Sequence, residues 1–300
     1  MKVLRAKSAG FCWGVERAID IAREYAAKGR RPVYTDGPLI HNSQMMDRLQ
    51  ADGIREVGDY QSSTQLDIEN NNEDNAVLVV RAHGISPERR KYLKSLGIDF
   101  KDATCPDVGI VAGKIRLHAR KGYSTVIFGD RKHPEVIGLM GYTEGRGHPV
   151  QSRKDIDALP DLGDKVVMVS QTTMFTDDFH QLADHLKLRF PGAIIFDTIC
   201  GATKDRQGDI AILFEEGVEA FVVIGGHHSA NTCKLALLAR KTGLPTFHIE
   251  TAREIEPDEM ARFRTVGVTA GASTPEFLIS EICHQLAEIP FAGEEMPATS

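Results

Sequence analysis

The stretch Gly10-Phe11-Cys12-Trp13-Gly14 decides the fold, because the chain echoes it twice, at Thr104-Cys105-Pro106 and at Ile199-Cys200-Gly201. Each cysteine follows a short apolar run: Val3-Leu4, then Ile98-Asp99-Phe100, then Ile194-Ile195-Phe196. Each precedes a helical pattern, and the cysteines stand 93 and 95 residues apart. Near-equal spacing in a common local context marks an internal repeat.

Working outward, the apolar periodicity predicts a helix over 15–27 ended by Gly29, a strand over 31–35 and a helix over 43–50. A polar excursion at 59–75, which reads as a mobile surface segment, separates these from a strand over 76–80, a helix over 87–95 and a strand near Phe100. The second repeat reads helix 109–120 ended by Gly122, strand 124–128, a weaker helix with an irregular patch, strand 166–169, helix 176–189 and a strand at Ile194. The third reads helix 205–215 ended by Gly217, strand 220–224, helix 232–241, strands at 246–249 and 265–268, and helix 275–286. No strand and cysteine follow. Residues 2–4, which lead to Cys12, supply them, so the repeat closes on itself. The expected units are 13–104, 105–199, and 200–290 completed by 1–12. Alternating strands and helices predict an α/β fold with small parallel sheets, and three like units suggest a pseudo-threefold ring with one central site.

Three hundred residues exceed what one hydrophobic core organises comfortably, so two or three domains are expected. A net charge of −6 argues against nucleic-acid or anionic-membrane partners, so an anionic ligand needs a local positive pocket. Residues 1–20 lack a signal-peptide pattern, and no run approaches membrane-spanning length. Five scattered cysteines make a disulfide framework improbable and point to a reducing cytoplasm.

Cys12, Cys105 and Cys200 sit in loops at helix starts, where a thiol ionises more readily and binds metal. Cys233 and Cys283 lie inside apolar helical patterns and read as core fillers. Three thiolates suit either a structural zinc completed by a histidine or an iron–sulfur cluster with one iron lacking a protein ligand. No CxxC pair exists, and ligands from three units suit a large central cluster better.

The strand-end loops carry a second set. His41, His133 and Ser229 follow their cysteines by 29, 28 and 29 residues. His83, Thr172 with Thr173, and Ser273 form the later set. A lone loop histidine or serine is usually a turn or cap residue. Recurrence in three units favours an anion site, where histidines, hydroxyls, the Asn231 amide and helix N-termini hold a phosphate or diphosphate. No GxxxxGK[ST] or GxGxxG occurs, so neither common nucleotide site is supported. A carboxylate in such a pocket repels phosphate, so Glu135 of His133-Pro134-Glu135 belongs at the reacting end, as a proton source.

These motifs resemble one family. Gly10 to Ala18, His41-Asn42, Ala82-His83-Gly84, Asp102 to Pro106, His133-Pro134-Glu135, Gln171-Thr172-Thr173, Cys200 and Thr269 to Ser273 are similar to the LytB/IspH family of 4-hydroxy-3-methylbut-2-enyl diphosphate reductases, along nearly the whole chain. The resemblance implies a trefoil of three α/β domains around a central 4Fe–4S cluster with three ligands, Cys12, Cys105 and Cys200. It implies reductive removal of an allylic hydroxyl, giving isopentenyl and dimethylallyl diphosphates in the methylerythritol phosphate route. His41, His83, His133, Ser229, Asn231 and Ser273 would hold the diphosphate. Glu135 would deliver protons, with Thr172 positioning the hydroxyl end beside Thr173. No flavin or nicotinamide motif is present, so electrons are expected from a ferredoxin or flavodoxin. The chain reads Ser229-Ala230-Asn231 where the family usually has Ser-Ser-Asn, which removes one hydroxyl donor. A cluster-containing paralogue acting on another allylic or phosphorylated substrate is the alternative. An iron–sulfur sensor is a third reading, and it has no need of Glu135 or the anion set.

Overall fold

The runs Val77–Val80, 166–169 and Ala220–Ile224 are apolar at every position, the pattern of strands covered on both faces. In the computed structural model, which describes residues 1–28, 32–58, 66, 68 and 76–293, all three are buried strands. The chain opens with β1 (Lys2–Arg5). The first repeat runs α1 (Trp13–Ala27), β2 (Val33–Asp36), α2 (Ser43–Ala51), β3 (Ile54–Val57), β4 (Val77–Val80), α3 (Pro87–Ser95) and β5 (Asp99–Asp102). The second runs α4 (Pro106–Ala119), β6 (Ser124–Phe128), α5 (Pro134–Met140), β7 (Gly147–Val150), α6 (Arg153–Asp157), β8 (Val166–Ser170), α7 (Thr176–Arg189) and β9 (Ile194–Ile195). The third runs α8 (Gly201–Glu215), β10 (Ala220–Ile224), α9 (Ala230–Lys241), β11 (Thr246–Ile249), α10 (Pro257–Met260), β12 (Thr265–Ala270) and α11 (Glu276–Glu288).

The chain divides into two compact units. One comprises Met1–Cys12, His41–Met45 and the chain from Gly201, and carries one sheet. The other comprises Trp13–Ile40 and Met46–Cys200, and carries two. All three sheets have four parallel strands in one order: β5-β4-β2-β3, β9-β8-β6-β7 and β1-β12-β10-β11. The N-terminal strand takes the fourth place in the third sheet, with Lys2 opposite Thr265 and Arg5 opposite Val268. In each sheet the chain leaves the first strand for the edge, then crosses back to the other side. The strand order therefore reverses between β2 and β4, between β6 and β8, and between β10 and β12. A crevice opens beyond the C-terminal ends of strands at such a point, which is where ligands bind in open α/β sheets.

Three helices start earlier than periodicity predicts. α1, α4 and α8 begin at Trp13, Pro106 and Gly201, each immediately after a cysteine. The first turns carry little apolar signal, and Pro106 at the first helical position is placed where its missing N–H costs nothing. Gly122 and Gly217, expected to end helices, have φ of 81° and 80°, a conformation glycine adopts freely. Gly29 and the polar excursion 59–75, apart from Leu66 and Ile68, lie outside the described residues.

Candidate functional site

Each cysteine is held in the same way by the strand-end loop beside it. The N–H of Cys105 donates to Ala82 O at 2.9 Å, that of Cys200 to Thr172 O at 3.1 Å, and that of Cys12 to Ala272 O at 3.1 Å. Ala82, Thr172 and Ala272 each lie two residues beyond the ends of β4, β8 and β12. One repeated backbone bond thus ties each sulfur-bearing loop to the loop carrying His83, Thr172 or Ser273.

The two-sheet unit gathers Cys105, His83, His133, Glu135, Thr172 and Thr173. Thr104 donates from both N and Oγ1 to Asp102, and Arg90 pairs with the same carboxylate, which fixes the approach to Cys105. Burial pushes Asp102 up, but the bonds from Thr104 and Arg90 outweigh it and leave its carboxyl below the usual range. Ahead of Cys200, Ser170 N donates to Thr198 Oγ1 and that hydroxyl donates to Ser170 O, both at 2.7 Å. Glu135 is 1 % exposed, in the first turn of α5. Thr172 holds both of its oxygens, N donating to Oε1 at 2.7 Å and Oγ1 to Oε2 at 2.8 Å.

His83 and His133 are set up as donors. Glu135 N donates to His133 Nδ1 at 3.2 Å, so that nitrogen accepts and the neutral ring carries its proton on Nε2. Arg81 Nη2 lies 3.3 Å from His83 Nδ1, and because arginine only donates, His83 is fixed in the same tautomer. The rings meet edge to face with centroids 5.6 Å apart. Gln171, fully buried, receives Asp130 N on Oε1 and donates from Nε2 to Thr173 Oγ1 at 2.9 Å, which orients that hydroxyl. A cavity of about 480 Å³ in this unit is lined by His83, Cys105 and Glu135 among others.

The one-sheet unit gathers Cys12, His41, Ser229, Asn231 and Ser273. Ser8 donates from N and Oγ to Asp209, and Arg206 Nη2 donates to Gly10 O at 2.5 Å, so the loop before Cys12 is pinned to α8. Ser273 Oγ donates to His41 O at 3.0 Å. Ser229 caps α9, accepting from Thr232 N. Asn231 is buried, and its Nδ2 has no hydrogen-bond partner among the described residues. A buried amide N–H without a partner is costly and marks a place for an acceptor. Ala230, between Ser229 and Asn231, opens α9.

The donor set fits a cluster bound by sulfur. The three cysteines form no disulfide, are half-buried and stand at helix starts. Gly14 leaves the room that Cys105 needs, since a Cβ there would come within 2.5 Å of its Sγ. Cys283 packs against the third sheet's core as expected. Cys233 does not: it is exposed, and its Sγ donates to His227 O at 3.0 Å. The helix periodicity around it is real, but α9 turns that position outward. Arg81, Gln171 and Gly14 escaped the sequence reading as site residues. Only Arg81 gave a signal, as a cation directly after a wholly apolar strand.

Parallel sheets with histidines and a buried carboxylate on their switch-point loops, and thiols on the loops after the neighbouring edge strands, define an α/β protein suited to an anionic ligand and a sulfur-bound metal group. The LytB protein family model matches residues 3–287, and the chain belongs to that family. It is 67% identical to a 4-hydroxy-3-methylbut-2-enyl diphosphate reductase from Opitutus terrae over 287 residues, 95% of this chain and 99% of that one. A protein of the same name from Alkaliphilus oremlandii is 38% identical, over 95% of this chain and 99% of its own. Among solved structures, the E-1-hydroxy-2-methyl-but-2-enyl-4-diphosphate reductase of Plasmodium falciparum is similar with a TM-score of 0.87 at 27% identity, covering 100% of this chain and 95% of that one. A second, described as the terminal enzyme of the non-mevalonate pathway, gives 0.70 at 34% identity, covering 96% and 100%.

Proposed function

We propose that this chain reduces 4-hydroxy-3-methylbut-2-enyl diphosphate to isopentenyl and dimethylallyl diphosphates, closing the methylerythritol phosphate route. The allylic C–O bond breaks, two electrons enter from outside, one proton joins the departing hydroxyl to make water, and a second forms a new C–H bond on the allyl group. LytB proteins are iron–sulfur enzymes, and the inferred ligands of one 4Fe–4S cluster are Cys12, Cys105 and Cys200. When bound, that cluster supplies a Lewis-acidic iron without a protein ligand and a path for electrons.

The observation that carries the reading is the Glu135–Thr172 pair, a fully buried carboxylate whose two oxygens meet the N–H and O–H of one threonine. A hydroxyl both donates and accepts. Thr172 Oγ1 can therefore take a hydrogen bond from a protonated Glu135 Oε2 while donating to the departing oxygen. His83 and His133 offer Nε2–H to the diphosphate, joined by His41, Ser229, Asn231 and Ser273. Thr173, oriented by Gln171, lines the same end as Thr172. The donor is a separate carrier of the ferredoxin or flavodoxin kind, and the enzyme works in the cytoplasm without nucleic-acid or membrane partners. Among the described residues no helix is long and apolar enough to cross a membrane.

The test is anaerobic purification, iron and sulfide analysis, and a reduction assay with the hydroxymethylbutenyl diphosphate. Cys12→Ser, Cys105→Ser and Cys200→Ser should each sharply lower bound iron, and Cys233→Ser and Cys283→Ser should not. Normal iron in any of the first three contradicts the ligand set, and a loaded chain that leaves the substrate intact contradicts the reaction.

A further inference from the structure

We propose that the outer face of α4, with Trp13 and Arg17 of α1, is the docking surface for a small acidic one-electron carrier protein. The proposal rests on the reading of Cys105 as a cluster ligand. The cavity that touches Cys105 follows α4 from this N-cap residue to Arg116, eleven residues or about 16 Å of helix. Its wall includes Gly109 and Gly113, and a Cβ on either would meet nothing within 4 Å. Glycine inside a helix weakens it, and no packing among the described residues requires these two. They leave α4 open to close approach from outside.

What surrounds the opening suits a protein surface. Ile110 and Leu117 of α4 are 57% and 53% exposed, and Trp13, one turn from Arg17 on α1, is 50% exposed. Arg17, Arg90 and Arg116 line the cavity. Its two carboxylates are engaged, Asp102 by Arg90 and Glu135 by Thr172. Along α4 and the two residues after it, Asp107 stands against Lys114, Arg116, Arg120 and Lys121, while α1 adds Glu16 beside Arg17. The whole chain carries −6, so this cationic strip is a local feature that attracts an acidic partner while the net charge disfavours other approaches. Apolar side chains beside an excess of positive charge fit the small, electrostatically steered contacts of redox partners. Each docking oxidises one carrier by one electron. Two dockings supply the two electrons, while one proton leaves with the hydroxyl as water and another forms the product's C–H bond.

The test uses cluster-loaded protein, an acidic ferredoxin as the probe, and reduced methyl viologen as a donor that needs no docking surface. Arg120→Glu, on the same strip but outside the cavity, should raise the Kd for oxidised ferredoxin, and the KM for reduced ferredoxin, about tenfold or more, and flatten their salt dependence. Leu117→Ser, exposed on the same face and outside the cavity, should weaken ferredoxin binding by removing an apolar contact. Methyl viologen should drive both variants at the wild-type rate. Unchanged ferredoxin Kd in both variants overturns the proposal, and so does a parallel fall of the ferredoxin-driven and viologen-driven rates. Wild-type protein that binds ferredoxin yet reduces no substrate with either donor would instead overturn the proposed reaction, with the Kd comparison still deciding the docking surface.

Discussion

Gly14 and Cys105 show how tightly one residue constrains another. A Cβ on Gly14 would lie 2.5 Å from Cys105 Sγ and 3.2 Å from its Cβ, well inside van der Waals contact. Alanine is the better helix former by about 1 kcal/mol, so Gly14→Ala should leave α1 intact while pushing the sulfur aside. Iron per chain should fall with no loss of melting temperature, and a variant with full iron would show that the sulfur has room to spare. Glu135 is constrained through hydrogen bonds instead. In Glu135→Gln, the amide oxygen can still accept from Thr172 N while the new NH₂ donates to Thr172 Oγ1, which turns from donor to acceptor. Shape survives and the transferable proton does not. A positioned acid contributes about 10²–10⁴-fold, so turnover should drop at least about 10²-fold with diphosphate binding retained. His83→Ala should show the opposite split, with weak binding and a raised KM. Near-normal turnover in Glu135→Gln would move the proton role elsewhere.

At the scale of elements, the sequence is most legible where burial is most complete. The runs 76–80, 166–169 and 220–224 are unbroken apolar stretches, and all became central strands. The edge strands β3 and β7 were not foreseen. β3 buries only Ile54 fully, and β7 carries Gly147 and Pro149 with one fully buried residue, Val150. Proline is tolerated at a sheet edge, where half the backbone groups need no partner strand. The site residues were legible where chemistry forces a rare residue type into a loop, as with the cysteines and histidines. Supports such as Gln171 were opaque, because nothing local distinguishes them from turn residues. The pair Asp36–Arg89 is of the opaque kind. Arg89 of α3 donates Nη2 to Asp36 Oδ1 at 2.6 Å and Nε to Oδ2 at 3.0 Å, and the Asp36 side chain is fully buried at the end of β2. Losing one partner strands a buried charge. Arg89→Ala should therefore cost about 3–5 kcal/mol, and the double change Asp36→Leu with Arg89→Met considerably less. Urea midpoints of the two would separate them, and equal losses would show the pair to be net stabilising.

For the whole molecule, the displaced histidines and all but one of the displaced carboxylates titrate below their usual values. Burial depresses His148 and His248, the latter despite its Nε2 bond to Gly225 O and with His227 and Arg240 adding to the depression. Among carboxylates, Arg5 holds Glu276 low by a side-chain bond, the Gln151 N–H holds Asp155 low, and Asp102 lies low through Thr104 and Arg90. A group whose folded pKa is depressed contributes stability above its unfolded pKa and loses it as pH falls through the folded value. The histidine contribution is thus present above about pH 6.5 and fades below it, and the carboxylate contribution fades below about pH 4. Glu56, raised by burial, works the other way and offsets part of the second loss. His248 and Glu276 belong to the one-sheet unit, and His148, Asp155 and Asp102 to the two-sheet unit, so both carry acid-sensitive groups. Denaturant midpoints should therefore fall in two stages on acidification, first between pH 7 and 5.5 and again below 4. His248→Gln keeps a donor for Gly225 O and removes the titration, so the first stage should shrink while the second stays. A first stage of undiminished size in that variant would assign it to other groups and leave the strained burial of His248 without a thermodynamic signature.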